Sequence, residues 1–239
     1  MVIHSSPESP GGGTAAKIVL YGPAQTPFTE KVRRGLLLKQ LDFELREPSG
    51  PEDYRRWSPE TGLLPVLSID GERIADSTAI LLRLDEQFPR PPLLAAEPRI
   101  AAQQRQLEDW ADESFLFYFL KWQRIRQERE RAEAAAGPPT GLARIAMLRR
   151  LVAWLRAGGT WERPETAISR GIGDRLDDLV NLLGTRPFFY ADRASMADLA
   201  VYGMLRTVEG GSMPGATQQL LSRPGLVAYM RRIEAETGG

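Results

Sequence analysis

The side chains able to do chemistry here form a short list, because the sequence lacks the commonest reagents. Its 239 residues include no cysteine and one histidine, His4. That excludes cysteine nucleophiles, disulfides and thiolate metal sites. It also removes zinc-ligand clusters and Ser-His-Asp triads. Hydroxyls, carboxylates, amines and arginines remain, with any reagent that a ligand brings. Three places combine such groups with a backbone suited to a ligand. At Thr26-Pro27 a helix opens, since Thr is a good N-cap and Pro is favoured at the first helical position. At Asp76-Ser77 a second helix opens, its inner face marked by Ile80, Leu81, Leu84 and Phe88. Backbone donors and the helix dipole there favour an anionic group, and the same two residues also suit plain capping. At Leu64-Pro65 a proline opens a strand, where a missing N–H does least harm, or forms a cis bond at a tight approach to a ligand.

The elements that must position these residues follow from patterning. Residues 62–80 read as a β-hairpin feeding a helix, with Asp70-Gly71 as a type I′ turn. Residues 17–21 read as a buried strand, and 22–25 as a loop into the Thr26 helix, whose inner face carries Phe28, Val32 and Leu36. A strand over 42–46 and a loop with a short helix over 48–57 complete a βαβ-α-ββα order. That order resembles a thioredoxin-like layout, with a crevice beyond the ends of the central strands. Pro89, Pro91 and Pro92 mark a stiff linker. From Pro98 onward the pattern is helical, so the chain divides into a leader (1–15), a mixed α/β domain (16–89), a linker (90–97) and an all-α domain (98–239).

Residues 115–122 are apolar nearly all round, which indicates burial on more than one side. They read as core and interdomain packing, or in part as the wall of an apolar substrate pocket. Tyr118 and Trp122, each with an apolar body and a polar tip, suit the pocket best. Arg124–Glu128, Arg126–Glu130 and Arg129–Glu133 are i, i+4 pairs on a solvated face. Gly137-Pro138-Pro139 breaks the helix. Further helices are expected near 141–157, 164–184, 196–209 and 223–236. Ser195 and Asp198 form a capping box.

Composition narrows the partners. Hydrophobic residues make up 42%, charged residues 26%, and the net charge is zero. Nucleic acid or an anionic membrane therefore gains no electrostatic support. No apolar run reaches the length needed to span a bilayer, and no secretory signal opens the chain. A cytoplasmic location is expected.

Two stretches resemble the glutathione transferase family. One is Gly-x-x-Pro-Val-Leu from Gly62, followed by the hairpin and Asp-Ser-x-x-Ile. The other is Arg-Pro-Phe-Phe-Tyr-Ala-Asp-Arg-Ala-Ser-Met-Ala-Asp-Leu-Ala from Arg186, similar to the family's folding motif. Thr26-Pro27-Phe28 looks like the Ser-Pro-Phe or Cys-Pro-Phe of tau-like and omega-like classes. The resemblance implies a thioredoxin-like domain plus an all-helical domain, and a homodimer. It implies that glutathione is the co-substrate, with no metal, and brings its own thiol to a small apolar electrophile. Thr26 then steadies the thiolate. Phe28, Leu64 and Pro65 line the peptide, Leu64 through its backbone, and Asp76 with Ser77 holds the γ-glutamyl end. Tyr21 is the rival hydroxyl for the sulfur.

The chain departs from the family in three ways. Thr replaces Ser or Cys at position 26. The absence of cysteine rules out mixed disulfides with glutathione. No basic residue precedes Pro65, where many relatives meet the glycyl carboxylate; Arg55 or Arg56 could substitute. These departures also suit the alternative of a non-catalytic ligand-binding or protein-interaction module of the same fold.

Overall fold

The computed structural model describes residues 2–3, 16–135 and 163–238. Strand β1 (Val2–Ile3) lies in the expected leader and pairs antiparallel with β3. Then come β2 (Ile18–Tyr21), α1 (Pro27–Leu38), β3 (Phe43–Arg46), α2 (Pro51–Trp57), β4 (Val66–Ile69), β5 (Glu72–Ala75) and α3 (Ser77–Gln87). The sheet order is β1-β3-β2-β4-β5, with β2 parallel to β3 and antiparallel to β4. Asp70 and Gly71 at the hairpin turn have φ of 51° and 93°, as a type I′ turn requires.

Alternation along β2 sends Ile18 and Leu20 to one face and Val19 and Tyr21 to the other. The first face packs with Val32 and Leu36 of α1 and Ile80, Leu81 and Leu84 of α3. The second meets Trp57 of α2 and Val66. The spacing predicts one face for Phe28, Val32 and Leu36, but Phe28 does not share the contacts of the other two. It packs against the core of the helical half, because α1 lies between the two halves.

The helical half holds α4 (Pro98–Ala135), α5 (Pro164–Leu183), α6 (Met196–Glu209), α7 (Ala216–Leu221) and α8 (Pro224–Glu236). The helix expected near 141–157 lies outside the described residues. The short α7 was hidden by its six-residue length. Of the i, i+4 pairs expected on α4, Arg126–Glu130 forms at 3.4 Å, whereas Arg129 reaches Glu165 on α5 at 2.6 Å.

Asp198, fully buried, accepts from the backbone of Phe189 and Ser195, from Ser195 Oγ and from Tyr229 Oη, all within 2.7–3.1 Å. The expected capping box is thus part of a larger buried anchor. One close contact joins the halves and one set of hydrogen bonds fixes the linker. A Cβ on Gly203 of α6 would collide with the Pro27 carbonyl, so glycine there lets α1 seat directly on α6. Lys39, at the end of α1, donates to Asp85 and to the carbonyls of Phe88 and Pro91, fixing the linker.

Candidate functional site

Sheet register brings the three singled-out places to one end of the sheet. Tyr21 pairs with Val66, and Val66 pairs with Ala75. Leu64-Pro65, just before Val66, therefore lies between Gly22, just after Tyr21, and Asp76, just after Ala75. The Leu64-Pro65 bond is cis. Helices α1 and α3 both begin at this end, so two sets of unpaired backbone N–H groups and two positive dipole ends converge there.

Thr26 is the N-cap of α1 and half-buried. Its Oγ1 lies 3.4 Å from the Thr29 amide, 2.8 Å from Thr29 Oγ1 and 3.1 Å from the Pro23 carbonyl. The loop before it is tied down by Ala24 N–H donating to Glu47. Tyr21, the rival hydroxyl, sits on the opposite sheet face from α1. Its ring packs on Trp57 with centroids 4.9 Å apart.

Asp76 caps α3, accepting from Ala79 N–H at 2.9 Å, and holds φ at 75°. An L-residue rarely adopts that backbone, and Asp tolerates it better than most. Ser77 is 4% exposed, and its hydroxyl has no hydrogen-bond partner among the described residues. Capping therefore accounts for Asp76 but not for Ser77.

Directly behind this helix start is a charged cluster that the pattern did not single out. Lys31 of α1 is fully buried and ion-pairs with Glu108 of α4, with Asp112 of α4 at 2.8 Å, and donates to Thr78 of α3 at 3.2 Å. Thr78 also donates to Glu108. One ammonium faces two carboxylates, and Glu108 Oε2 and Asp112 Oδ1 have no partner among the described residues. Burial pushes Asp112 up to about 6, Lys31 pulls it back, and Glu108 and Asp76 add to the rise. Lys31 lies next to the stripe residue Val32 in a helix read for its apolar face, so its burial left little sequence signal.

Tyr118 packs on Gly171 of α5, where a Cβ would collide with its ring, and Trp122 joins the same helical core. The structure thus places both against the helical core, which Phe28 of α1 also meets. Arg55 is exposed and lines an open cleft of about 890 Å³ with Ser49, Gly50, Glu52, Tyr54 and Thr61. Arg56 instead pairs with Asp53 at 2.6 Å and stacks over Trp57. Among the described residues no group of three or more His, Cys, Asp or Glu side chains is placed to hold a metal. No helix among them is long and apolar enough to cross a membrane.

Comparison with known proteins places the fold. A family model described as glutathione S-transferase, N-terminal domain, matches residues 20–92, and one described as glutathione S-transferase, C-terminal domain, matches 162–238. Glutathione S-transferase Z2 of Arabidopsis thaliana is 35% identical over 89 residues, 34% of this chain and 39% of the relative. The chain thus spans about two-fifths of the length of the plant relatives it matches. The maleylacetoacetate isomerase of Pseudomonas aeruginosa is 26% identical over 205 residues, 80% of this chain and 81% of the relative. A rice glutathione S-transferase solved in complex with glutathione has the same fold, with a TM-score of 0.65 at 22% identity, over 93% of this chain and 88% of that one.

Proposed function

Because this chain belongs to the glutathione S-transferase family, we propose that its crevice holds glutathione and presents the thiolate to a small apolar electrophile. The observation that carries this reading is the meeting of two helix starts with the Leu64-Pro65 turn at one end of the sheet. An extended peptide laid along Leu64 pairs its cysteinyl backbone there and brings its sulfur to Thr26. A free thiol has a pKa near 8.5. A hydroxyl donor and a helix N-terminus both lower it. The γ-glutamyl carboxylate takes the amides at the start of α3 and the unpartnered Ser77 hydroxyl. Its ammonium is drawn by Asp76 and by the excess negative charge of Asp112 and Glu108. The glycyl carboxylate runs toward α2, where Arg55 supplies the charge that the residues before Pro65 lack. Phe28 contributes as packing at the base of α1, and Tyr118 with Trp122 backs the electrophile's side.

The reaction is attack of the thiolate on an electron-poor carbon: a carbon–sulfur bond forms as a leaving group such as halide departs with its bonding pair, or as the π bond of an activated alkene breaks and the resulting carbanion takes a proton from water. In conjugation the thioether is the product. The similarity to an isomerase over most of the chain favours a second reading, in which the same adduct rotates about a former double bond and then expels the thiolate unchanged. Both readings use the same glutathione site. We propose a homodimer as the working form, with Phe117 and Leu120, exposed one turn apart on α4, available for burial.

Retention on immobilised glutathione together with conjugation of an aryl halide tests the proposal. Retention with turnover supports the transferase. Turnover of a cis-enone diacid alone points to the isomerase. Retention without either marks a binding module, and failure to be retained refutes the glutathione site.

A further inference from the structure

The cleft beside Arg55 is larger than one glycyl carboxylate requires. Its volume of about 890 Å³ lies within the roughly 300–1,000 Å³ that whole small ligands fill. Both walls are held in place by the chain itself. On one side the Ser49 amide donates to the buried Asp53 at 2.8 Å. On the other, Gly62 N–H donates to the Ser58 carbonyl at 2.7 Å, and Thr61 Oγ1 accepts from the Leu63 amide at 3.1 Å. A tripeptide with its γ-glutamyl end at α3 and its cysteinyl unit at Leu64 continues past Leu63 toward Gly62 and Thr61, which line this cleft. Gly62 leaves the way open, since a Cβ there would meet nothing within 4 Å.

Two charged side chains line the cleft, Glu52 and Arg55, three residues apart on α2. Opposite charges at that spacing are neighbours on a helix surface and attract one another. These two do not pair: among the described residues the ion pair of α2 is Asp53 with Arg56. The Glu52 carboxylate lies instead over Gly50, where a Cβ would come within 2.6 and 2.7 Å of its two oxygens. The cleft thus offers a cation and an anion, both exposed and both without a charged partner. Because Arg55 is exposed, its attraction for a glycyl carboxylate is screened and adds up to about fivefold in affinity. The charge of that carboxylate is therefore dispensable, and an amide carbonyl in its place still accepts from the guanidinium. Glu52 has no role toward glutathione itself, whose glycyl end is an anion.

Resting on the glutathione reading above, we propose that the site takes a wider class of substrate: thiol peptides lengthened through the glycyl carboxyl by an amine-bearing group. The new amide carbonyl accepts from Arg55, and the terminal ammonium meets Glu52 inside the cleft.

Isothermal titration calorimetry on the full chain tests this with glutathione and two of its glycyl amides, the aminobutyl amide and the pentyl amide, which has a similar length and no charge. The aminobutyl amide is expected to bind within about fivefold of glutathione or more tightly. Glu52→Gln keeps the shape of the side chain and removes its charge. It is expected to lower the ratio of aminobutyl to pentyl affinity by about two- to fivefold. An aminobutyl amide bound more weakly than that, beside bound glutathione, overturns the inference and leaves the glutathione site standing. An unchanged ratio in Glu52→Gln also overturns it, since the ammonium then does not meet Glu52. If glutathione fails to bind and the aminobutyl amide binds, the glutathione reading falls and the lengthened class stands; if neither binds, both fall. Should Glu52→Gln not fold, the ratio in the parent must drop as salt is raised from about 0.02 M to about 0.5 M; a constant ratio is equally contrary.

Discussion

Lys31→Met is the most informative single perturbation of the machinery behind the site. Methionine keeps the apolar stem but deletes the ammonium that stands between Glu108 and Asp112. Lys31 and Glu108 side chains are each 1% exposed, so water cannot replace the lost partner. Removing one member of a buried pair costs about 3–5 kcal/mol, since the other charge is left uncompensated. With a urea slope of about 3 kcal/mol per molar for a chain of this size, the unfolding midpoint falls by about 1–1.7 M. The cause is the orphaned charge, so Glu108→Gln added to Lys31→Met recovers about half of the loss. The amide oxygen still accepts from Thr78. Urea denaturation of the parent, both single variants and the double variant gives the four corners of the cycle. A loss below about 0.5 kcal/mol in Lys31→Met, or no recovery in the double variant, refutes the reasoning.

Other consequences follow from the same structure. Asp112 and Asp198 are both raised from the usual aspartate value to about 6, burial being the main cause in each. The folded chain therefore holds these protons more tightly than the unfolded chain, and the stability they add below pH 4 is lost as pH rises through about 6. The urea midpoint should drop between pH 5 and pH 7, and Asp112→Asn should flatten that drop. Asp198→Ala strips a fully buried anchor of four hydrogen bonds, and thermal unfolding should register a loss of about 3–5 kcal/mol. Gly203→Ala drives a methyl group into the Pro27 carbonyl. It should cost about 1–3 kcal/mol by urea denaturation and, by shifting the Thr26 turn, lower conjugation more than it lowers glutathione retention.

Much of this was legible because it rests on local chemistry. Asp70-Gly71 demanded a tight hairpin, Thr26-Pro27 and Asp76-Ser77 marked helix starts, and Ser195 with Asp198 marked a third. Their convergence was less legible, because it depends on register: Tyr21 opposite Val66, and Val66 opposite Ala75. The Lys31 cluster was invisible for another reason. Lys31 lies 47 to 81 residues from its partners in sequence, and a lysine on an amphipathic helix reads as a solvated group until the partner helix is placed. Tyr118 shows the reverse limit. Its amphipathic ring suits a pocket or a core equally, and only the close approach of Gly171 shows that it packs against helix α5. The readable i, i+4 spacing pairs Arg129 with Glu133 of its own helix, whereas its partner Glu165 belongs to another.

A crystal structure of the chain with glutathione bound examines the central claim most directly. The account predicts electron density for the tripeptide along Leu64-Pro65, its sulfur within hydrogen-bond distance of Thr26 Oγ1 and its γ-glutamyl group at the start of α3 against Ser77. A tripeptide seated elsewhere, or a crevice closed by the chain's own side chains at saturating glutathione, contradicts it.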